Sequence, residues 1–298
     1  MLRKVLINLD RSEDRLEEFY RVNRHIEGIE RFCAIDGRAL RQTLKEKGLL
    51  QEGFGVDYTD GGLGCAMSHK AQWERAVASG EALTVIEDDA VFCKNFEEEH
   101  QRLLKTLPET WDIVLWGYIL GLDLSYDLLP ELPYYIKYNT FNIKSSMKNI
   151  DRWSERCISS NFHKLYMAWG LACYSISPRG AKKFLEFCFP IRRLPVKRKN
   201  ILLKQKGLYY PNKVNDGIDC PMVFLYPKVE AYVCVPLLVK QPYLLKTSSV
   251  QPLRRSFHNQ LKRWLFRKTM EVDYEGFYQS GCSSALSDLN YLMLENLK

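Results

Sequence analysis

The stretch ALTVIEDDAVF, residues 82–92, decides the fold. Its first five residues, 82–86, are apolar or β-branched and predict a buried strand. The acidic triplet Glu87, Asp88 and Asp89 follows that strand at once. Open α/β sheets bind their ligands at the carboxyl ends of their strands. The stretch therefore predicts a central strand whose end carries a polar site.

The N-terminal segment predicts the rest of a nucleotide-binding half-sheet. Residues 5–9 (VLINL) predict another buried strand, and Ser12, followed by two acids, predicts the start of a helix that runs to about residue 23. A second strand is predicted over 32–35 and ends at Asp36. Strand, helix and strand in this order open an α/β sheet of the Rossmann type.

A glycine-rich segment, Gly61-Gly62-Leu63-Gly64, precedes a predicted helix over 65–79 that Gly80 ends. Backbone N–H groups at a helix start favour phosphate, and Ser68 and His69 lie in the predicted first turn. Two plainer interpretations stay open, since glycine clusters commonly make ordinary turns and a buried histidine commonly satisfies structural hydrogen bonds.

Further strands and helices are predicted towards the C-terminus. The segment 121–165 reads as irregular and predicts loops or a lid over a site. Ser177 and Pro178 predict an N-cap and first helical position of a helix that ends near residue 187. The remaining predicted strands are 112–116, 169–176, 214–219 and 232–239. The fold class predicted is α/β, with a mixed sheet flanked by helices.

Composition excludes several classes of protein. The chain of 298 residues is 46% hydrophobic and 27% charged, which is typical of a globular protein and excludes collagen, coiled coil and low-complexity disorder. The longest apolar run, 113–122, is half of the roughly 20 residues that span a bilayer, and residues 1–15 lack a secretory signal. We therefore expect a cytoplasmic protein. Nine scattered cysteines without a CxxC pair predict neither disulfides nor a zinc site.

The net charge of +7 is concentrated in two segments. Residues 187–215 and 231–270 each contain eight basic residues and no acid, whereas the other 229 residues hold 27 basic and 36 acidic residues. This pattern predicts that one part of the protein contacts an anionic surface or acceptor. It argues against nucleic acid bound along the length of the protein. If 253–268 is helical, it places apolar side chains on one face and bases largely off it, typical of a helix on an anionic membrane or docked on the protein.

The acidic triplet predicts a metal site. Carboxylate oxygens suit magnesium or manganese bridging a diphosphate. Side chains alternate along an extended segment, so Glu87 and Asp89 should point one way and Asp88 the other. Asp10, Arg11 and Arg15, next to the first strand, are candidates for ribose and phosphate contacts. The plainer alternatives are a solvated acidic turn for the triplet, and caps and surface ion pairs for the other three residues.

Six motifs in order and register resemble glycosyltransferase family 25, the bacterial lipooligosaccharide glycosyltransferases. The resemblance covers about residues 1–245. The motifs are INLDRSEDR (7–15), RFCAIDG (31–37), LGCAMSH (63–69), VIEDDAVF (85–92), YSISPRGAKKFL (174–185) and GIDCPMVF (217–224).

The resemblance implies a GT-A-like catalytic domain over 1–245, with 246–298 as a basic helical extension. It also implies an inverting transfer of a hexose, most often galactose from UDP-galactose, with a divalent metal such as manganese. Glu87 and Asp89 would hold the metal, and Asp219, or else Asp216, would deprotonate the acceptor or add a metal ligand. The implied donor-binding residues are Asn8, Asp10, Arg11, Arg15, Asp36, Gly64, Ser68, His69 and Asp88.

The charge pattern also predicts the kind of glycan that accepts the sugar. A lipooligosaccharide or lipopolysaccharide core is anionic, so the basic segments would bring a peripheral enzyme to the inner face of the cytoplasmic membrane. Three alternatives remain open. The chain could transfer glucose or an N-acetylhexosamine, hydrolyse a sugar nucleotide or transfer a nucleotidyl group, or bind carbohydrate without catalysis.

Overall fold

A computed structural model describes residues 2–53, 55–120, 122–136, 152–194 and 214–241. The chain divides into two units, and all described residues belong to the first, Met1–Gln251. The predicted boundary at residue 245 and the predicted helical extension over 246–298 lie outside the described residues. Most residues of the two basic segments also lie outside the described residues. The boundary, the helical extension and the role of the basic segments therefore stay predictions.

The described ranges contain eleven strands and six α-helices. The strands are β1 (Arg3–Asn8), β2 (Ile29–Cys33), β3 (Leu83–Glu87), β4 (Val91–Phe92), β5 (Ile113–Gly117), β6 (Leu124–Leu129), β7 (Leu132–Ile136), β8 (Asn161–Met167), β9 (Cys173–Ile176), β10 (Ala231–Val235) and β11 (Val239–Lys240). The helices are α1 (Glu13–Val22), α2 (Leu40–Glu46), α3 (Asp60–Ser79), α4 (Phe96–Leu104), α5 (Pro178–Cys188) and α6 (Asp219–Leu225). Within these ranges, none of the helices has both the length and the apolar composition needed to cross a bilayer.

The strands form one mixed sheet in the order β2-β1-β3-β9-β5-β10-β8-β6-β7, with β11 between β4 and β5. β1 is parallel to both β2 and β3, β5 is parallel to β10, and β9 is antiparallel to its neighbours β3 and β5. The predicted α/β class, with a mixed sheet flanked by helices, is confirmed. This arrangement is compatible with the GT-A-like architecture that the resemblance implies.

Register places the ends of three strands at one edge of the sheet. In the parallel pairs, Asn8 lies opposite Cys33 and Ile7 lies opposite Glu87. β3 is buried along its first four residues and becomes partly exposed at Glu87, where the apolar run ends. The predicted strand–helix–strand opening is therefore present, and its carboxyl edge carries the acidic triplet.

Helix α3 begins five residues earlier than predicted, at Asp60, because Thr59 supplies the N-cap. Its side chain accepts a hydrogen bond from the Gly62 backbone N–H at 3.0 Å. Gly64 consequently lies inside the helix. A Cβ there would stand 2.4 Å from the backbone oxygen of Ile35 and 2.6 Å from the nitrogen of Gly37, so only glycine lets the two segments approach.

Two other predictions are wrong. The segment 121–165 is not all irregular, because β6, β7 and the start of β8 extend the sheet there, while residues 137–151 lie outside the described residues. The segment 214–219 is not a strand, because it leads directly into α6. In contrast, Ser177 caps α5 as predicted and accepts from Gly180 N–H at 3.0 Å.

Asp112 anchors the opposite edge of the sheet. Its side chain is fully buried and accepts hydrogen bonds from Arg179 at 2.9 Å, Lys183 at 2.7 Å and the Glu230 backbone at 2.8 Å. Although burial alone would raise the pKa of Asp112, its bonds to Lys183 and Arg179 hold that pKa below its ordinary value. This carboxylate ties the starts of β5 and β10 to α5.

Candidate functional site

Glu87 and Asp89 converge on one point at the carboxyl edge of β3. The side-chain nitrogen of Gln241 lies 3.3 Å from Glu87 Oε2 and 3.1 and 3.0 Å from the two Asp89 oxygens. Burial, together with the Glu87 charge, raises the pKa of Asp89 to about 7 although Gln241 and Arg15 oppose the shift. The two carboxylates are thus held close enough together to oppose each other's ionisation.

Asp88 points away from that pair, but a turn after Glu87 sets its direction, and the extended segment assumed by the prediction ends at Glu87. Its Oδ2 accepts from the Asn8 amide at 2.9 Å, and its Oδ1 pairs with Arg15. Asn8 is itself buried and accepts from Arg31 Nε at 3.1 Å. Arg15 also lies 3.7 Å from Asp89 Oδ2, so one guanidinium contacts two acids of the triplet. Asn8, Arg15 and Asp88 therefore form one connected group beside the converging pair.

A buried relay orients Glu87 from the other side. Trp73 Nε1 donates to the Tyr174 hydroxyl at 2.8 Å, and that hydroxyl lies 2.9 Å from His69 Nδ1. His69 Nε2 then lies 3.3 Å from Glu87 Oε1. When the ring proton is on Nε2, His69 donates to Glu87 and accepts from the Tyr174 hydroxyl, and when it is on Nδ1, His69 donates to Tyr174 and leaves Nε2 free as an acceptor.

Asp219 stands at the first position of α6 and belongs to the same site. The Gly170 backbone nitrogen lies 3.3 Å from Asp219 Oδ2 and donates to it. The side-chain oxygen of Gln241 lies near Gly170, whose φ is +82°. Burial, Asp216 and Glu87 together raise the pKa of Asp219 to about 6 against the bond from Gly170. Asp216 contacts the Cys220 thiol at 3.3 Å.

The other candidate residues at this edge form exposed ion pairs. Asp10 accepts from Arg31 at 2.7 Å and from the Cys33 thiol at 2.9 Å. Asp36 pairs with both Arg38 and Arg11, and hydrogen bonds from Arg38 lower its pKa to about 2. Asp10, Arg11 and Asp36 therefore lie just beyond β1 and β2.

Two predicted donor-binding residues have packing roles in this structure. Ser68 is fully buried, donates to the Gly64 oxygen at 2.8 Å and accepts from the Ile35 N–H at 2.8 Å, so both capacities of its hydroxyl are used. Gly64, as described above, permits the close approach of α3. His69 is equally buried but reaches Glu87 directly. The nucleotide-binding roles assigned to Gly64 and Ser68 stay predictions.

Sequence reasoning missed Gln241 and the pair Tyr174 and Trp73. Gln241 follows a two-residue strand in a basic segment, where nothing marks a glutamine as special. Tyr174 belongs to a mostly apolar run that indicates core packing, and Trp73 lies among polar residues of a predicted helix, where nothing marks it as part of a site. Cys65 was also missed as a candidate ligand, because it is one of nine scattered cysteines, although it precedes His69 by one helical turn. The signal that could have found it is the Cys-x-x-x-His spacing on a predicted helix.

A comparison with family models identifies the chain. Residues 1–198 match the model described as "Glycosyltransferase family 25 (LPS biosynthesis protein)". The match spans most of the described residues, including α3, β3 and the acidic triplet. The chain belongs to glycosyltransferase family 25.

Three curated relatives support this membership at a distance. The chain is 32% identical over 145 residues (43% of this chain, 45% of the relative) to "Putative glycosyltransferase R655" of Acanthamoeba polyphaga mimivirus. It is 26% identical over 238 residues (74% and 35%) to procollagen galactosyltransferase 1 of Danio rerio. It is 37% identical over 95 residues (28% and 16%) to inactive glycosyltransferase 25 family member 3 of Mus musculus. The chain thus spans less than half the length of these relatives.

Proposed function

We propose that the protein is an inverting glycosyltransferase that transfers a hexose, galactose from UDP-galactose, to a lipooligosaccharide or lipopolysaccharide core. The observation that carries the proposal is the convergence of Glu87 and Asp89 on one point at the sheet edge of a family 25 chain. The name of the zebrafish relative supports galactose as the donor sugar. The description of the matching family model supports the acceptor.

The residues around that point fit a hard divalent cation such as manganese or magnesium. Both carboxylates lie within 3.3 Å of the Gln241 nitrogen, and the Gln241 oxygen is buried without a hydrogen-bond partner among the described residues. Rotating the amide by half a turn would direct this oxygen at the point, since amide nitrogen and oxygen are nearly isosteric. Glu87, Asp89 and Gln241 would then offer the oxygen ligands that these cations prefer.

Arg15 lies where it can contact the donor diphosphate, next to the proposed cation site. A bound divalent cation would supply Lewis-acid stabilisation of the negative charge that develops on the leaving nucleoside diphosphate. Arg15 contributes a guanidinium whose position Asp88 and Asp89 fix. Asn8 holds Asp88 in turn, while Asp10, Arg11 and Asp36 lie further out, where exposed groups can contact the nucleotide.

Asp219 is the proposed general base. Inversion requires attack from the face opposite the leaving group, so a carboxylate must take the acceptor proton there. A pKa of about 6 leaves Asp219 ionised at neutral pH yet basic enough to accept a proton, close to the optimum for such catalysis. Asp216 is the second candidate for this role, and a further metal ligand is the other role proposed for Asp219.

The basic segments are proposed to bring the enzyme to an anionic acceptor on the inner face of the cytoplasmic membrane. The relevant part of the chain, 246–298, lies outside the described residues, so this step rests on sequence alone. Flotation with anionic liposomes tests it: a chain ending at Val250 should lose binding that the full chain shows. Equal binding by both would reject the role of the tail.

Calorimetric titration tests the donor. The protein is titrated with UDP, UDP-galactose, UDP-glucose, UDP-N-acetylglucosamine and GDP-mannose, each with manganese and with EDTA. We expect manganese-dependent binding confined to uridine ligands, lost in Asp89→Asn and kept in Asp60→Asn, whose exposed carboxylate pairs with Arg41 away from the triplet. Metal-independent binding, or equal binding by Asp89→Asn, would refute the metal assignment.

Turnover then distinguishes the enzyme classes. Release of UDP that requires a glycan acceptor supports the transferase, whereas release without an acceptor favours a sugar-nucleotide hydrolase. Asp219→Asn should bind donor normally but lose transfer by about 10²–10⁴-fold, the range expected of a general base. Transfer at the wild-type rate would remove Asp219 from this role.

A non-catalytic carbohydrate-binding protein is the second candidate function. The mouse relative named as inactive favours it, because the same family includes chains so described. Here all three acids of the triplet and Asp219 are present, which supports catalysis instead. Binding of glycan without binding of any sugar nucleotide would favour this candidate.

A further inference from the structure

We propose that Cys65, His69 and Glu87 form a second divalent-cation site, which shares Glu87 with the proposed manganese site and selects a softer ion such as zinc. The three ligand atoms, the Cys65 sulfur, a His69 ring nitrogen and a Glu87 carboxylate oxygen, lie within 4.8 Å of one another. Thiolate, imidazole and carboxylate together are a donor set typical of zinc, whereas manganese and magnesium prefer oxygen alone.

Two of the ligands already stand at the separation that zinc requires. Zinc bonds to nitrogen and carboxylate oxygen are about 2.0–2.1 Å long, so two such ligands at a tetrahedral angle lie about 3.3 Å apart. His69 Nε2 and Glu87 Oε1 lie 3.3 Å apart. Cys65 is one helical turn before His69 on α3, so its side chain lies on the same face, and its sulfur is within 4.8 Å of the other two ligand atoms.

The surroundings of His69 also suit a metal ligand. Its Nδ1 lies 2.9 Å from the Tyr174 hydroxyl, which Trp73 fixes in turn. A hydrogen bond on the far ring nitrogen is the usual outer-shell support of a zinc-bound histidine, because it fixes ring orientation. The His69 side chain is buried and stacks on Tyr174 with ring centroids 5.7 Å apart, so its direction is set before any ion arrives.

The acids beside the cluster favour a cation. Glu87 belongs to the cluster, and Gln241 contacts both Glu87 and Asp89, which places a second carboxylate next to it. A bound divalent ion stabilises the thiolate directly, so zinc binding should release the Cys65 proton. Cys65 is only partly buried, which leaves a route for the ion.

The absence of a CxxC pair had predicted no zinc site. That prediction considered cysteines alone, whereas this site takes one cysteine, one histidine and one carboxylate from α3 and the end of β3. A fourth position is left for water or a substrate oxygen, as in zinc sites with three protein ligands.

Cobalt spectroscopy tests the site. Cobalt(II) is added to the reduced full-length protein, because a cobalt–thiolate bond gives a near-ultraviolet charge-transfer band. We expect this band in the wild-type protein, its loss on addition of one equivalent of zinc, and its absence in Cys65→Ser. Cys157→Ser is the matched control, since Cys157 is exposed, and it should keep the band. Cys65→Ser should also bind zinc at least tenfold more weakly.

Absorption spectroscopy at the zinc edge of the wild-type protein gives a measurement that needs no variant to fold. One sulfur at about 2.3 Å with nitrogen and oxygen neighbours supports the site. A first shell of nitrogen and oxygen alone, no cobalt band in the wild type, or an unchanged band in a folded Cys65→Ser protein would each overturn it. The readout is independent of sugar transfer, so its failure and failure of the proposed function are distinguishable.

Discussion

Replacing Asp219 by asparagine should make the protein more stable at neutral pH. The folded protein raises the pKa of this carboxyl from 3.8 to about 6, chiefly through burial. Each pH unit of difference corresponds to about 1.4 kcal/mol, so ionised Asp219 lowers the free energy of unfolding by up to about 3 kcal/mol above pH 7. Asp219 keeps some contact with solvent, which reduces the expected gain of Asp219→Asn to between about 1 and 3 kcal/mol.

The sign follows from proton binding. Between about pH 4 and pH 6 the folded state holds the Asp219 proton while the unfolded chain has lost it, so wild-type stability falls as pH rises through this window. Asp219→Asn has no such titration and keeps an amide oxygen for the Gly170 N–H. The difference between the two proteins should therefore be largest above pH 6 and vanish below pH 4.

Thermal unfolding in EDTA at pH 7.5 and pH 4 measures this effect. For a chain of this size 1 kcal/mol shifts the melting temperature by about 2–4 °C, so Asp219→Asn should melt roughly 2–12 °C above the wild type at pH 7.5. Asp14→Asn is the matched control, because Asp14 is exposed in the first turn of α1, and it should change little. A variant no more stable than the wild type at pH 7.5 would refute the electrostatic reasoning.

Three further perturbations test other parts of the structure. Asp112→Asn should lower the free energy of unfolding by about 1–3 kcal/mol in urea titrations, because a buried amide cannot accept all three hydrogen bonds that the carboxylate accepts. The wild-type advantage should disappear as pH falls below about 4, since the pKa of Asp112 is lowered, and an advantage that persists there would contradict this. Gly64→Ala should cost about 1–3 kcal/mol by calorimetry, because its Cβ would meet the Ile35 backbone, and an unchanged stability would contradict the packing. Gln241→Leu should weaken manganese affinity by about tenfold in electron paramagnetic resonance titrations, and unchanged affinity would exclude Gln241 as a ligand.

The fold was largely predictable from local patterns. The apolar run before Glu87 and the one before Asp10 gave β3 and β1 because buried parallel strands are continuous hydrophobic stretches. Ser177 and Pro178 gave the start of α5 because an N-cap followed by proline is a strong local signal. The start of α3 was missed because its cap, Thr59, precedes glycines that are poor helix formers.

The hairpin of β6 and β7 was missed for a different reason. Its residues mix aromatic, proline and acidic side chains, and tertiary pairing with β8 rather than a local period makes them strands. In the site, too, local sequence patterns predicted some features and tertiary contacts set the others. Alternation along the chain predicted that Glu87 and Asp89 share one side, but no local rule could bring Gln241 to them from 152 residues away.

The two edges of the sheet shift the pKa values of buried aspartates in opposite directions. At the amino edge of β5, Asp112 is fully buried but has three hydrogen-bond donors, and its pKa is lowered. At the carboxyl edge, Asp89 and Asp219 have few donors and close negative neighbours, and their pKa values are raised. A buried carboxylate that loses its hydrogen-bond donors destabilises a fold, whereas carboxylates whose pKa values are raised by burial and by each other cluster at functional sites. We therefore expect a cation, if bound, at the carboxyl edge, and we expect substitutions of Asp112 at the amino edge to lower the free energy of unfolding.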